Sequence, residues 1–319
     1  MNQYLLAVGL GLCITLAVMP ILIPILHKVK FGQSEREEGP ASHKAKNGTP
    51  TMGGIVFILV PILVLLILDA PAFMNPEMQI VVLAYVGYAM IGFIDDFIIV
   101  VQKNNRGLSP KMKFLMQSVL AVLFFYLYQR IAPTTINVPV LNMEIELGWL
   151  YFLLIFIMFT AESNAVNLTD GLDGLSAGCV IIALSPFVLL SIHQSKSDLA
   201  LFLLAVIASL LGYLKFNLHP AKIFMGDTGS LALGGLLAAT AMVLKQELLL
   251  VIIGGIFVME LMSVVIQVTS FKATGKRVFK MAPLHHHFEL SGFKETQVVV
   301  MFWMISLGFA ILGYFLGVM

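Results

Sequence analysis

Long apolar runs separated by short polar stretches make up most of this 319-residue chain. Most of the runs approach the ~20 residues that a helix needs to cross the hydrocarbon core of a bilayer. The pattern therefore predicts an all-α polytopic membrane protein with about ten transmembrane helices. The predicted helices lie near residues 4–26, 53–69, 78–99, 112–129, 149–166, 175–193, 199–216, 229–244, 248–270 and 296–318.

The polar stretch at residues 130–148 differs from the other interruptions, because alternating apolar and polar residues flank Pro139 and Asn142. Alternation on both sides of turn-forming residues is typical of a β-hairpin. We expect a small extracytoplasmic hairpin near 130–148. Neither an internal repeat nor a linker divides the sequence, so we expect residues 1–319 to form a single integral membrane domain.

The composition excludes several classes of protein. Hydrophobic residues make up 59% of the chain and charged residues 12%, whereas soluble domains are ~25% charged. A disordered chain, an ordinary cytosolic enzyme and a disulfide-stapled secreted domain are therefore excluded. Cys13 and Cys179 lie inside apolar runs, where we expect buried thiols rather than a disulfide. The net charge of +1 gives no indication of a nucleic-acid partner.

Lysine and arginine are distributed unevenly between the two sets of loops. If the amino terminus lies outside, only Arg130, Lys196 and Lys245 fall in outside loops, which leaves 16 of the 19 basic residues inside. Because basic residues accumulate in cytoplasmic loops, we expect both termini outside and five loops in the cytoplasm. The inside basic residues are Lys28, Lys30, Arg36, Lys44, Lys46, Lys103, Arg106, Lys111, Lys113, Lys215, Lys222, Lys272, Lys276, Arg277, Lys280 and Lys294.

Three aspartates lie at helix ends on the predicted inside face. Asp95 and Asp96 are adjacent near the end of the third predicted helix, and Asp227 precedes the eighth. An ionised aspartate near the hydrocarbon costs ~2.5–3.5 kcal/mol, and close carboxylates repel one another unless a cation lies among them. Carboxylates without a cysteine partner favour Mg²⁺ or Mn²⁺ over zinc. The alternative is that Asp227 or Thr228 simply caps a helix beginning near Ser230.

A second polar group opens the sixth predicted helix. Asn167, Asp170 and Asp173 are three residues apart, so a helical turn would place them on one face. With the other aspartates they give five carboxylates at helix ends on one side, which strengthens the metal hypothesis. The alternative is that Asp170 only caps the helix that begins near Leu175.

His285, His286 and His287 form an internal triplet in the last inside loop, close to Lys280. Adjacent histidines point in different directions, unlike the spaced ligands of familiar zinc sites. A basic cluster at the membrane edge favours phosphate binding, with plain surface polarity as the alternative. Glu260 is a lone acid midway along the ninth predicted helix, and we expect it to have a hydrogen-bonded structural role.

Together these residues favour phosphoryl transfer, in which positioning and charge neutralisation lower the barrier. A site at the membrane edge suits one water-soluble phosphate substrate and one lipid substrate. A transporter would instead carry its charges near the bilayer midplane, often in a repeat-related pair of broken helices. Transport is the alternative from another class, and a scaffold without catalytic activity is the third.

Motifs along the whole chain match those of one known group of enzymes. They are Ser42–His43 with Lys46–Gly54, Asp95–Asp96, Asn167–Gly174, Phe216–Asn217 with Gly226–Ser230, and Ala282–Glu289. The aspartate motifs resemble the polyprenyl-phosphate N-acetylhexosamine phosphate transferase superfamily. The runs Pro-Leu-His-His-His-Phe-Glu and Gly-Thr-Pro-Thr-Met-Gly-Gly resemble one branch of it, the phospho-N-acetylmuramoyl-pentapeptide transferases.

The resemblance implies transfer of phospho-MurNAc-pentapeptide from UDP-MurNAc-pentapeptide to undecaprenyl phosphate, which gives lipid I and UMP. It also implies Mg²⁺ as the cofactor and the plasma membrane of a bacterium as the location, with the active site on the cytoplasmic face. The alternative within the superfamily is a UDP-N-acetylglucosamine:polyprenyl-phosphate phosphosugar transferase. The oligomeric state is open, and a homodimer is one arrangement.

The resemblance further implies roles for individual residues. Asp227 would ligate Mg²⁺ and act in catalysis with Asp95, Asp96 and His286. The lipid phosphate would be bound by Asp95, Asp96, Lys111 and Lys113. The nucleotide, the metal or both would be surrounded by Lys46, Thr51, Asn167, Asp170, Asp173, Asn217, Phe224 and Gln267, and the pyrophosphate or sugar by His285, His286 and His287. A lipid phosphate is already ionised at neutral pH, which favours direct attack over a covalent enzyme intermediate.

The uneven distribution of basic residues predicts how single cysteines react in intact cells. Cysteines placed at Asn47 and Lys276 should resist an impermeant thiol reagent, whereas a cysteine at Asn137 should react, because only the last lies outside. Labelling of the Asn47 position from outside would reverse the predicted orientation.

Overall fold

A computed structural model describes residues 2–28, 48–102, 107–139, 141 and 143–319. Within this part of the chain, twelve α-helices and one two-stranded sheet form the fold. The helices are α1 (Asn2–Lys28), α2 (Gly54–Asp69), α3 (Pro76–Gln102), α4 (Pro110–Tyr128), α5 (Leu150–Thr169), α6 (Leu175–His193), α7 (Ser197–Asn217), α8 (Gly226–Val243), α9 (Glu247–Ile253), α10 (Gly255–Thr274), α11 (Leu284–Glu289) and α12 (Glu295–Val318). The strands are β1 (Thr135–Val138) and β2 (Met143–Glu146).

The all-α polytopic fold class is confirmed, although the number of spans differs. Nine helical segments in the described residues are long and apolar enough to cross a membrane, and α8 is not among them. The first turn of α8 is polar, and every residue from Thr228 to Val243 is buried. The eighth predicted helix therefore exists, but as the central element of the bundle. The ninth, predicted as one helix over 248–270, consists of α9 and α10, which are separated at Gly254.

Small residues let neighbouring helices approach α8 closely. A Cβ atom at Gly234 would lie 2.5 Å from the main chain of Ser163 on α5, and one at Gly235 would lie 2.7 Å from the Tyr88 ring on α3. Membrane helices associate through such small-residue contacts because apolar burial alone provides little driving force within lipid. Gly234 and Gly235 are therefore packing residues between α8 and its neighbours.

The described parts of the five loops that were predicted to share one side of the membrane meet at one end of the bundle. The loop before α2 pairs with the loop before α8, since Gly53 N donates to Phe224 O at 2.9 Å and Phe224 N donates to Pro50 O at 2.8 Å. The α5–α6 loop meets the start of α12, since Asp173 N donates to Glu295 Oε1 at 2.8 Å. That this end faces the cytoplasm stays a prediction.

The opposite end carries the β-hairpin, as predicted. β1 and β2 pair antiparallel, with Thr135 opposite Glu146. The Lys245 ammonium donates to Thr135 O at 3.0 Å, which fixes the hairpin to the α8–α9 loop. A hydrogen bond from the Thr134 hydroxyl lowers the pKa of the Glu146 carboxyl.

The two thiols lie in different environments. Cys179 is buried and Cys13 is exposed, and both are free. The expectation of a buried thiol therefore holds for Cys179 on α6 and is wrong for Cys13. The reason is that α1 lies at the edge of the bundle, with few of its residues buried.

The α3–α8 contact gives a test of the fold. A Cβ atom at Gly92 would overlap the main-chain carbonyl of Asp227. We expect Gly92→Ala to lower the free energy of unfolding by about 1–3 kcal/mol, the usual cost of overpacking. Gly308→Ala on α12 is the control, since an added Cβ there meets nothing within 4 Å. Thermal unfolding in detergent measures both, and equal melting temperatures would contradict the proposed close approach.

Candidate active site

Three carboxylates converge at the end of the bundle where the five loops meet. Asp95 and Asp96 come from α3 and Asp227 from the first turn of α8, and oxygens of all three lie within 4.8 Å of one another. Lys113, in the first turn of α4, lies beside them. Its ammonium bonds Asp227 and lies 3.4 Å from Asp95 Oδ2. The structure therefore brings Asp227 to Lys113 and Asp96, which lie 114 and 131 positions before it in the sequence.

Asp96 holds the start of α8. The buried carboxylate accepts hydrogen bonds from Asp227 N at 3.2 Å, Thr228 N at 2.9 Å and Thr228 Oγ1 at 2.6 Å. The two main-chain N–H donors are among those that a helix amino terminus leaves unsatisfied, and the third donor is a side-chain hydroxyl. The expectation that Asp227 or Thr228 caps a helix beginning near Ser230 is wrong. The helix begins at Gly226, and the acceptor comes from α3.

Gly226 is required for this capping arrangement. Its φ of +70° is in the left-handed region, which favours glycine. A Cβ atom at this position would overlap the Asp96 carboxylate and lie 2.7 Å from Thr51 Oγ1. The predicted site residue Thr51 is thus buried beside the α8 start.

Asp95 and Lys111 differ in their surroundings. Asp95 is buried, and its Oδ1 accepts a hydrogen bond from Leu108 N at 2.7 Å, which ties the α3–α4 loop to α3. Lys111 is exposed on the first turn of α4. Of the two lysines expected at the lipid phosphate, Lys113 is therefore the one that lies within the carboxylate cluster.

Asp227 is the most exposed of the three acids. About 25% of its side chain is accessible, compared with 6% for Asp95. Its Oδ1 accepts a hydrogen bond from Asn167 Nδ2 at 2.7 Å, and the same amide nitrogen donates to Ser230 Oγ at 3.0 Å. Asn167 thus orients Asp227 while leaving it open to a ligand from the loop side.

The residues Asn167, Asp170 and Asp173 do not share a helix face. α5 ends at Thr169, so only Asn167 is helical, and Asp170 follows as the carboxyl-terminal cap of α5. The alternative that Asp170 caps α6 is also wrong, because Gly174 holds that position. The apolar pattern could not show this, because the chain turns between two buried helices without a long polar loop.

Asp173 belongs to a second polar cluster. It is buried, and its Oδ2 lies 3.0 Å from His219 Nδ1 and accepts from Ala221 N at 3.0 Å. Glu295 joins the group, with its Oε2 3.4 Å from the same histidine nitrogen. Sequence reasoning missed His219 and Glu295. His219 lies two residues after Asn217 and could have been noticed there, whereas Glu295 looks like an ordinary first-turn acid of α12.

Two predicted nucleotide residues are engaged in holding loops. Asn217 accepts from Gly174 N at 3.1 Å and donates to Ile223 O at 2.9 Å. Gln267 donates to Phe279 O at 2.9 Å and accepts from Phe279 N at 2.9 Å. Phe224 is half-buried on the loop that pairs with Pro50. Lys46 lies outside the described residues.

The three histidines have different partners, as their adjacency predicted. His285 is buried, with its Nδ1 3.1 Å from Glu260 Oε2. His286 Nδ1 lies 2.9 Å from Glu289 Oε2. His287 Nδ1 accepts from the main-chain nitrogen of Lys280 at 3.1 Å. Only His286 and His287 are partly exposed. Glu260 is hydrogen-bonded, as expected.

Known proteins are similar in sequence to this chain over nearly its whole length. The family model for glycosyl transferase family 4 matches residues 78–245, and signature 1 of phospho-N-acetylmuramoyl-pentapeptide-transferase matches residues 46–58. Relatives of that name from Bacillus thuringiensis strain Al Hakam, Bacillus cereus strain AH187 and Bacillus anthracis strain A0248 are each 52% identical over 317 residues, which cover 98% of both chains. The chain belongs to the phospho-N-acetylmuramoyl-pentapeptide-transferase family.

In this member of the phospho-N-acetylmuramoyl-pentapeptide-transferase family, the carboxylate cluster fits a divalent cation. Asp95, Asp96 and Asp227 offer hard oxygen donors, which suit Mg²⁺ and Mn²⁺. The Lys113 ammonium beside two of them shows that the cluster attracts positive charge. Asp227 is the best placed to bind the ion because its carboxylate is accessible, whereas Asp96 already accepts three hydrogen bonds.

The different roles of two of these acids predict different effects on stability. We expect Asp96→Ala to lower the free energy of unfolding by roughly 1.5–3 kcal/mol, because buried donors at the α8 start lose their charged acceptor. Asp227→Asn should leave stability close to that of the unmodified protein, since the amide oxygen can still accept from Asn167. Thermal unfolding in detergent compares them, and an equal loss in both variants would contradict the capping role of Asp96.

Proposed function

We propose that the protein transfers phospho-MurNAc-pentapeptide from UDP-MurNAc-pentapeptide to undecaprenyl phosphate, which releases UMP and forms lipid I. The convergence of Asp95, Asp96 and Asp227 with Lys113 carries the proposal most directly. Carboxylates and an ammonium group at the end of a membrane bundle provide what phosphoryl transfer needs, namely a metal-binding site and positive charge. Family membership over the whole chain supports the same reaction.

The proposed location of the reaction is the cytoplasmic face of a bacterial plasma membrane. The sequence assigns 16 of the 19 lysines and arginines to segments predicted to lie on this side, and basic residues accumulate on the cytoplasmic side of a membrane. A soluble nucleotide reaches the site from this side, while the lipid acceptor remains in the bilayer. The same end therefore serves both substrates.

In the proposed mechanism, Asp227 would hold Mg²⁺ with Asp95 beside it, and the bound ion would supply positive charge against the pyrophosphate. Asp96 fixes the start of α8, which places Asp227 against α3. Lys113 provides a positive charge for a phosphate between α3 and α4. The phosphate of the lipid acceptor has a second pKa near 6 and is ionised at neutral pH, so it needs no general base. Asp95 then acts by orienting a direct in-line attack, and Asp96 contributes indirectly by holding the start of α8.

The nucleotide is proposed to lie among the loops that surround the carboxylates. Asn167 links the α5–α6 region to Asp227. His286 and His287, which are partly exposed, are proposed to face the pyrophosphate or sugar, and His286 to take part in catalysis. The remaining proposed nucleotide contacts are Lys46, Thr51, Asp170, Asp173, Asn217, Phe224 and Gln267.

The proposed activity has a direct test. Purified protein supplied with UDP-MurNAc-pentapeptide, undecaprenyl phosphate and Mg²⁺ should release UMP, and a chelator should stop the release. Asp227→Asn should lower turnover by about a hundredfold or more, because electrostatic stabilisation of the transferring group is lost. Near-normal turnover of this variant would contradict the metal assignment. Faster use of UDP-N-acetylglucosamine with the same lipid would contradict the proposed donor specificity.

Isotope exchange tests the order of events. In a direct attack, labelled UMP should exchange into the nucleotide substrate only when the lipid is present, because no enzyme-bound phosphosugar forms without it. The same samples, quenched and digested, should contain no phosphosugar adduct. An adduct on any aspartate would instead establish the covalent two-step route.

A further inference from the structure

Glu260 is a fully buried acid in α10, and its partners come from a distant part of the chain. Its carboxylate accepts hydrogen bonds from Leu284 N at 3.0 Å and His285 N at 3.2 Å, and it lies 3.1 Å from His285 Nδ1. An acid at this depth is expensive unless partners satisfy it. The carboxylate therefore ties the start of α11, where the histidine triplet lies, to α10.

The neighbours of Glu260 determine which nitrogen of His285 carries the proton. Two main-chain N–H groups donate to the carboxylate, and a carboxylate accepts from a ring nitrogen that bears hydrogen. The hydrogen bond made by one ring nitrogen sets the state of the other. Nδ1 is therefore assigned as the donor, and Nε2 as an acceptor with a free lone pair.

His285 Nε2 faces the loop between α5 and α6. This atom is buried and has no hydrogen-bond partner among the described residues. A Cβ atom at Gly171 would overlap Nε2 and lie 2.8 Å from Cε1 of the same ring. Gly171 lies between Asn167, which holds Asp227, and Asp173. A buried acceptor without a donor lowers the stability of the fold. Its retention against this loop therefore indicates that the contact has a function.

We propose that Glu260 and His285 are positioning residues that act together on the Asn167–Gly174 loop. Glu260 fixes the ring, and the ring supports the loop at Gly171 through its unprotonated Nε2 edge. This inference rests on the proposed function, in which that loop holds the nucleotide substrate. The pair acts on nucleotide binding through the loop, since His285 is buried.

Glu260→Gln tests the proposal because it keeps the shape and removes the charge. The amide NH₂ can donate to Nδ1, which would move the ring proton to Nε2 and point it at Gly171. We expect the KM for UDP-MurNAc-pentapeptide to rise about tenfold, as for loss of one charge-assisted hydrogen bond, while the KM for undecaprenyl phosphate stays unchanged. Glu247→Gln is the matched control. Glu247 is also buried and hydrogen-bonded, but to Tyr151 at the opposite end, and both KM values should stay unchanged.

Nitrogen NMR of ¹⁵N-histidine-labelled protein tests the assigned position of the ring proton directly, while the comparison of the two KM values separates a positioning role from a purely structural one. The signals of His285, identified by their loss in His285→Asn, should show a protonated Nδ1 and an unprotonated Nε2. In Glu260→Gln the assignment should be reversed, with Nε2 protonated and Nδ1 unprotonated. An unprotonated Nδ1 in the unmodified protein would overturn the assignment.

A double-mutant cycle covers the case in which Glu260→Gln does not fold. Gly171→Ala should raise the KM for the nucleotide substrate, because its methyl group meets the His285 ring. The same change in a His285→Ala background should have a much smaller effect. Equal effects in the two backgrounds would show that ring and loop do not act together. A fall in kcat with both KM values unchanged in Glu260→Gln would overturn the proposal, whereas absence of UMP release by the unmodified protein would instead overturn the proposed function.

Discussion

The Asp96 carboxylate accepts hydrogen bonds that the main-chain N–H groups at the start of α8 would otherwise lack. The geometry of the site depends on this pairing. The first N–H groups of a helix have no partners within the helix, and a buried carboxylate is costly without donors or opposite charge. Here the Asp96 carboxylate accepts from the main chain of Asp227 and Thr228. Neither group would be stable at this depth alone. Their pairing sets where α8 begins and hence where the Asp227 side chain lies.

The same arrangement recurs around the site, because buried polar side chains are used to hold the main chain of loops. Asp95 accepts from Leu108 N, Asn217 from Gly174 N, and Glu260 from the start of α11. These contacts join residues that are 13, 43 and 24 positions apart in the sequence, respectively. The loops are thus fixed to rigid helices, which is how a membrane bundle holds binding groups in place. Asp227 differs from the other carboxylates of the cluster because it remains accessible.

The sequence predicted the helices well where they are long and apolar. The approximate positions of α1 to α7 and α12 follow from runs that only helices can place in a bilayer, since all main-chain groups must be satisfied internally. The hairpin followed from alternation around Pro139. The division at Gly254 was missed, because apolar residues continue on both sides of it. The burial of α8 was also missed, because hydropathy does not distinguish lipid contact from contact with other helices.

The chain by itself determined the class of protein, the set of candidate residues and their common side. Composition, basic-residue distribution and aspartate motifs are properties of the sequence alone. Only the tertiary structure decided which groups each of these residues contacts. In the structure, Asp96 caps the start of α8, and Asn167 lies on a helix that ends before Asp170 and Asp173. His219 and Glu295 lie beside Asp173, and His285 lies beside Glu260. The physical reason is that a polar side chain is defined by the donors and acceptors around it, and in this fold most of these come from helices distant in sequence.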